Sequence, residues 1–483
     1  MTDSESWRRR TVLRTVGAGV AGAAATGLAS ASDRGATGHE AAGHDPRPQQ
    51  VTTAGTAGDD ATDGSWRQFQ ADATNSGRSP AVGPRSGATA WAFDTYSGDV
   101  GPSDTPTATD ATPEQLPQVV ASPAVVDGTV YVGSTSGTLY ALDRVTGERQ
   151  WSVATDGPVL SSPTVVDGTV YVGSHDRTLY ALDAESGDET WTFDADGRLF
   201  SSPTHRDGTV YVGSQAGSTY AVDAGTGEQV WRVGTGQRVD STPAVVDGTV
   251  YVGDYRPEGQ GGVRALAASD GSQQWELPTQ GPVPCSPAVA DGVVYFGDYA
   301  GAVYALDAAT GDGLWARTLS DFVLSSPVVA DGTVYVCGFD NNVWAFTAGR
   351  GSDAGTTEWS YATEASVLSS PAVADGVLYV GSRDRRLHAV DVESAQQLFT
   401  VDTGASVLSS PAVVDDAVYV GSSDGRVYAV TDDGEAPPTP TATPSPTDTT
   451  TNGSGSGFGV VAGLAGLAGL GAGALHRLRD GDR

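Results

Sequence analysis

The feature that most constrains this chain is a Ser/Thr-Pro dipeptide that returns at Pro123, Pro163, Pro203, Pro243, Pro287, Pro327, Pro371 and Pro411, every 40 residues apart from two gaps of 44. A fixed period of this size means that one supersecondary unit is stacked on copies of itself, because so short a unit cannot bury its own apolar faces alone. The second unit shows the grammar most clearly: Ser161-Ser162-Pro163-Thr164-Val165-Val166, Asp167-Gly168, Thr169 to Gly173, Thr178 to Asp183, Ser186-Gly187, and a closing Trp191. β-Branched and aromatic runs alternate with Asp-Gly and Ser-Gly pairs, which supply the positive φ angles of tight hairpins. Four short strands in about 40 residues make one propeller blade. The expectation is an all-β, closed eight-bladed propeller of four-stranded antiparallel blades over residues 63–434.

The aromatic residue that closes each unit recurs at Trp151, Trp191, Trp231, Trp275, Trp315 and Trp359, with Phe399 in the seventh unit. Stacked blades bury such rings against their neighbours, so the series is assigned to blade docking. The eighth unit ends at Gly434 without its aromatic strand, while an orphan strand of that type, Ala88 to Phe93 around Trp91, precedes the first Ser-Pro. Pairing the two closes the ring and removes two open sheet edges.

Composition excludes several function classes. The formal charge is −32, from 59 acidic residues against 27 basic ones, all of them arginine. The carboxylates are spread along the whole chain, a pattern that resembles proteins of extreme halophiles, where dense salt screens self-repulsion. Nucleic acid is excluded as a partner, since phosphate binding draws on clustered basic residues. Cys285 and Cys337 stand at different positions of different repeats, which indicates two buried thiols instead of a disulfide framework or metal site. The six histidines show no metal-ligand spacing, and no cofactor is assigned. The Asp-Gly pairs recur as hairpin chemistry, so turn formation accounts for them without calcium.

The ends read as addresses. Arg8-Arg9-Arg10-Thr11-Val12-Leu13, a weakly apolar Ala/Gly/Val run and Ala29-Ser30-Ala31 form a signal-peptide pattern resembling the twin-arginine type, over residues 1–31. A linker at 32–62 follows. After the propeller, a Thr/Pro/Ser stalk at 435–456 carries the sequon Asn452-Gly453-Ser454, and an apolar anchor at 457–476 precedes a basic tail at 477–483. The anchor resembles the archaeal PGF-CTERM sorting signal, with Ser456-Gly457-Phe458 where that family has Pro-Gly-Phe. The protein is expected to be exported and held at the outer face of the cytoplasmic membrane.

The pattern Ser-Pro-Ala-Val-x-Asp-Gly-x-Val-Tyr followed by Tyr-Ala-Leu-Asp-x-x-Thr-Gly-x-x-x-Trp, as in Ser122 to Trp151 and Ser286 to Trp315, resembles the pyrroloquinoline-quinone (PQQ) propeller repeat. The lead-in Trp66-Arg67-Gln68-Phe69, Asp72, Asn75-Ser76-Gly77 resembles that of haloarchaeal members. The resemblance implies the propeller fold and two functions: a quinoprotein dehydrogenase holding PQQ and calcium, or a binding scaffold similar to the bacterial outer-membrane assembly lipoprotein. The dehydrogenases use an adjacent cysteine pair, a Trp platform and a Glu/Asn/Asp calcium set. Here the cysteines lie 52 positions apart and the blades are nearly bare, so no catalytic residue is assigned and a non-catalytic surface scaffold for an envelope protein or glycan is favoured. A purely structural envelope component is a further alternative.

Positions that vary within a regular array are not required by the fold. On that basis Tyr255, Tyr299 and Phe339 are candidate contact aromatics in units four to six, with Asp240, Asp254, Arg256, Asp298 and Asp340 as polar partners. A paired-carboxylate acid/base role for Asp254 and Asp298 has no support from spacing.

Overall fold

The computed structural model describes residues 65–97, 100–101 and 117–437, and the signal, stalk and anchor segments lie outside these. Eight sheets follow one another along the chain, antiparallel except that Arg78–Ser79 of the lead-in pairs parallel with Ala372–Ala374. Each has an inner three-residue strand, such as Thr164–Val166, a second strand, Thr169–Gly173, a third, Thr178–Asp183, and an outer strand, Glu189–Asp194. The hairpin between the first two strands puts Asp167 at φ 50 and Gly168 at φ 73, the doubly left-handed turn that the Asp-Gly pair was read to encode. In the eighth blade Ala88–Asp94 supplies the outer strand and pairs antiparallel with Arg426–Thr431. The ring is therefore closed by joining the two ends of the repeat array.

Neighbouring blades are fastened twice. Toward the outside, Trp151 Nε1 donates to Ala184 O of the next blade at 3.0 Å, and Tyr131 Oη donates to the same carbonyl at 3.1 Å. Trp191, Trp231, Trp275, Trp315 and Trp359 repeat this bond around the ring, and Trp91 makes it to Arg144 O, across the closure. A Cβ on Gly187, at φ 76, would lie 2.9 Å from the Trp151 ring, so glycine in the Thr/Ser-Gly turn lets the indole approach that turn closely. Phe399 has no N–H to give and packs against the bare Cα of Gly87 instead.

Toward the axis, the hydroxyl residue of each Ser/Thr-Pro pair accepts a hydrogen bond from the backbone N–H of its counterpart one blade earlier. Ser122, Ser162, Ser202, Thr242, Ser286, Ser326, Ser370 and Ser410 form this ring at 2.9–3.3 Å, and Ser410 N donates back to Ser122 Oγ. The dipeptide that marks the period is thus a circular clasp. Proline after it is tolerated because that position lies just before the inner strand, where no N–H is required.

The lead-in segment fills the middle of the ring. It passes the blades in order, satisfying inner-strand groups that have no neighbouring strand. Trp66 exchanges two backbone bonds with Val125, and the N–H groups of Val165, Val245, Val289, Val329 and Val373 donate to the carbonyls of Arg67, Ala73, Thr74, Ser76 and Gly77 at 2.7–3.2 Å. In the third blade the Gln68 side chain accepts from His205 N, and in the eighth Ser79 Oγ donates to Val413 O. Asn75 is wholly buried and its Nδ2 donates to Thr242 O and Pro287 O. Asp72 closes the loop by accepting from Thr74 and Ser76, and burial raises its pKa.

Candidate functional site

Three positions per blade converge at one end of the axis. The residue two before the clasp hydroxyl forms an inner collar: Val120, Leu160, Phe200, Asp240, Pro284, Leu324, Leu368 and Leu408. The residue four before it, and the first exposed residue of the turn joining the second and third strands, lie side by side because the turn N–H donates to that residue's carbonyl, as in Tyr255 N to Arg238 O, Tyr299 N to Pro282 O and Phe339 N to Phe322 O. Inside the collar is a well of about 260 Å³, lined by all eight clasp residues and by Phe69 of the lead-in.

Seven of the eight collar residues are apolar, and the eighth, Asp240, is only 6% exposed. Arg238 pairs with its Oδ2 at 2.5 Å, and Gln215 Nε2 donates to its Oδ1 at 3.0 Å. The Arg238 guanidinium also lies 5.1 Å from the centre of the Tyr255 ring. Tyr255 Oη donates to Tyr299 Oη at 3.3 Å, and burial together with the Asp240 charge raises the Tyr255 pKa strongly. From there an aromatic ladder runs outward over blades four to six: Tyr255 to Tyr299 at 5.9 Å, Tyr299 to Phe322 at 5.6 Å, and Phe322 to Phe339 at 6.0 Å between ring centres. Phe322 is 48% exposed.

Of the residues singled out from the sequence, the structure brings Asp240, Tyr255, Tyr299 and Phe339 into this one arrangement. It buries Asp254 and Asp298 and engages Arg256 and Asp340 within their own blades. Asp254 is fully buried and held by Arg256 and Arg264, with Glu276 completing the cluster beneath the long hairpin of blade four, so Asp254 and Arg256 brace that hairpin. Asp298, also fully buried, accepts from Ala300 N, Ala302 N and Tyr304 Oη. It stands where other blades have a serine, such as Ser174, whose Oγ caps the same turn by accepting from Asp176 N. Asp340 is spent on Asn342 N and Trp344 Nε1. Phe322, Arg198 and the clasp itself were not singled out. The departure of Phe322 from the Pro, Gln, Arg and Ser found there in other units was a usable signal.

Cys285 replaces the serine that in other blades accepts the glycine N–H of the second strand. Its Sγ lies 3.1 Å from both Gly297 N and Gly297 O, and burial pushes the thiol up to about 12. Cys337 occupies the position of that glycine in blade six and is likewise buried. A quinone tricarboxylate with calcium does not fit these residues. No tryptophan lines the well, the two thiols sit in separate backbone contacts, and the described residues contain no group of three or more His, Cys, Asp or Glu side chains able to hold a metal ion.

Comparison with known proteins agrees with the architecture. The family model described as outer membrane protein assembly factor BamB matches residues 76–204, 195–287, 259–363 and 352–454. Among solved structures, BamB from Moraxella catarrhalis aligns with a TM-score of 0.54 at 20% identity, covering 64% of this chain and 94% of that one. The quinohemoprotein alcohol dehydrogenase of Comamonas testosteroni aligns at 0.63 and 17%, covering 78% and 82%. The computationally designed Ika8 protein aligns at 0.58 and 19%, covering 65% and 96%. At these identities the likeness is one of fold. A search of curated proteins returns no match. With the family model spanning most of the repeat array and the eight blades in place, this chain belongs to the BamB family of PQQ-type repeat propellers.

Proposed function

We propose that the chain is a non-catalytic binding propeller of the cell envelope, exported and tethered by its C-terminal segment, which captures a protein partner at the axial mouth. The observation that carries this is the aromatic ladder from Tyr255 to Phe339, which starts at the wall of the well and passes through the exposed Phe322 ring. Contiguous, partly exposed aromatics on a rigid scaffold are the composition of interface anchors. The backbone of Tyr255, Tyr299 and Phe339 is tied to the neighbouring connection by Tyr255 N to Arg238 O, Tyr299 N to Pro282 O and Phe339 N to Phe322 O, which limits the ordering entropy lost on binding. The family name and the resemblance of the repeats support an envelope scaffold, and the lining of the well, which holds no tryptophan, speaks against the quinoprotein alternative.

The test is site-specific photocrosslinking on cells, with benzoylphenylalanine placed at Phe322 and, as a control on the far outer strand of blade three, at the exposed Val230. A discrete adduct from position 322 that is absent at 230 and lost on adding Tyr299→Ala is the expected outcome. No adduct at 322, or saturable PQQ and calcium binding with alcohol-dependent dye reduction by the purified chain, overturns the proposal.

A further inference from the structure

The well has a donor set of one kind. Each of the eight clasp hydroxyls is committed as an acceptor to a backbone N–H, so each has its own O–H proton left to give, and all eight line the well. Above them lies the apolar collar, whose one carboxylate, Asp240, is already engaged by Arg238 and Gln215. Basic side chains stand beside the collar: Arg198 and Arg238 occupy the same position in adjacent blades, Arg238 shared with Asp240, and the His175 ring lies 6.3 Å from that of the collar residue Phe200, where it feels both guanidinium groups as well as the Asp240 and Asp176 carboxylates. His175 and Arg238 belong to a chain with more than twice as many acidic as basic residues. A hydroxyl floor, an apolar collar and a basic rim match an acceptor-only group carried on an apolar stem.

We propose that the axial well binds the C-terminal carboxylate of a partner polypeptide, with its last apolar side chain held by the collar and the preceding residues lying along the Tyr255–Tyr299–Phe322 ladder. This rests on the binding reading above and gives its ligand chemistry. A polypeptide end is favoured over a free acid because the well and the ladder are continuous: Tyr255 and Tyr299 belong to both, and a small acid would fill the well and leave the ladder uncovered. A glycan is disfavoured, since sugar hydroxyls seek carboxylate acceptors and the collar offers none that is unengaged.

The experiment uses the purified chain in molar KCl and a fluorescein-labelled decapeptide, four Gly-Ser pairs followed by Phe-Leu, as the free acid and as the C-terminal amide. Anisotropy titration is expected to show saturable binding of the acid, tenfold or more weaker binding of the amide, and loss of that difference in Arg238→Gln. Leu368→Glu, which puts a charge in the collar without touching the clasp, is expected to abolish binding of the acid while the near-ultraviolet circular dichroism stays native. Equal binding of acid and amide, no binding of either, or displacement of the peptide by 4-methylpentanoate at a concentration equal to the peptide's own Kd overturns the proposal. If crosslinking at Phe322 succeeds while the peptide fails, the binding role stands and only the carboxylate assignment falls.

Discussion

Replacing Ser162 by alanine removes one link of the clasp and leaves the backbone N–H of Ser122 without its acceptor. Ser122 and Ser162 are 5% and 4% exposed and the bond is 2.9 Å long. A buried donor left unsatisfied costs about 1–3 kcal/mol. At ~2.1 cal/mol/K of unfolding entropy per residue, a folded unit of about 350 residues loses roughly 3 °C of Tm for a 2 kcal/mol defect. Thr242 performs the same role in blade four, accepting from Ser202 N, so Ser162→Thr keeps the acceptor and is the matched control. The assay is thermal and urea unfolding in molar KCl, followed by tryptophan fluorescence. The expected order is wild type, then Ser162→Thr close behind, with Ser162→Ala clearly lower. Alanine and threonine variants of equal stability would refute the clasp as an energetic element and reduce it to a by-product of blade spacing.

Trp231 is 6% exposed and donates to Ala268 O at 2.7 Å, so Trp231→Ala should cost about 3–5 kcal/mol whereas Trp231→Phe, which imitates Phe399, should cost only about 1 kcal/mol in the same unfolding assay. Ala395 holds φ 56 where most blades have glycine, and Ala395→Gly should raise the unfolding midpoint by relieving a left-handed conformation worth about 1 kcal/mol. His388 is buried between Asp384 and Tyr361, at a position where Tyr180 and Tyr428 bond the equivalent aspartates. Burial lowers its pKa although Asp384 opposes this, so the unfolded chain takes up the proton first. Stability should therefore fall as pH drops through about 6.5 toward the lower folded value, and His388→Tyr should flatten the slope in urea unfolding measured between pH 5 and 8.

The repeat array was legible because each blade is built from local signals. Asp-Gly hairpins, β-branched runs and a closing aromatic recur in sequence order, and the ring count and the closure by Ala88–Asp94 follow from the unpaired strand at each end. The lead-in was legible only as a motif. Residues 66–79 have no periodicity, and their bonds reach partners as distant as Val413, so nothing local announces that they fill the axis.

For the site, the sequence by itself determined which residues break the pattern of their unit, and four of these, Asp240, Tyr255, Tyr299 and Phe339, share the mouth. Only the tertiary structure decided what each does. An aspartate after the glycine of the second strand looks like a loop charge, yet both fold inward, Asp298 because it caps the backbone of its own turn and Asp254 because Arg256 and Arg264 bind it there. A serine before proline looks like a strand start, yet it becomes a link in a ring because its acceptor duty is to a residue 40 positions away, which lies beside it only once the blades are arranged around an axis. Spacing in sequence fixes the unit, and proximity across units arises from closure, which is where the donor set of the well comes into being.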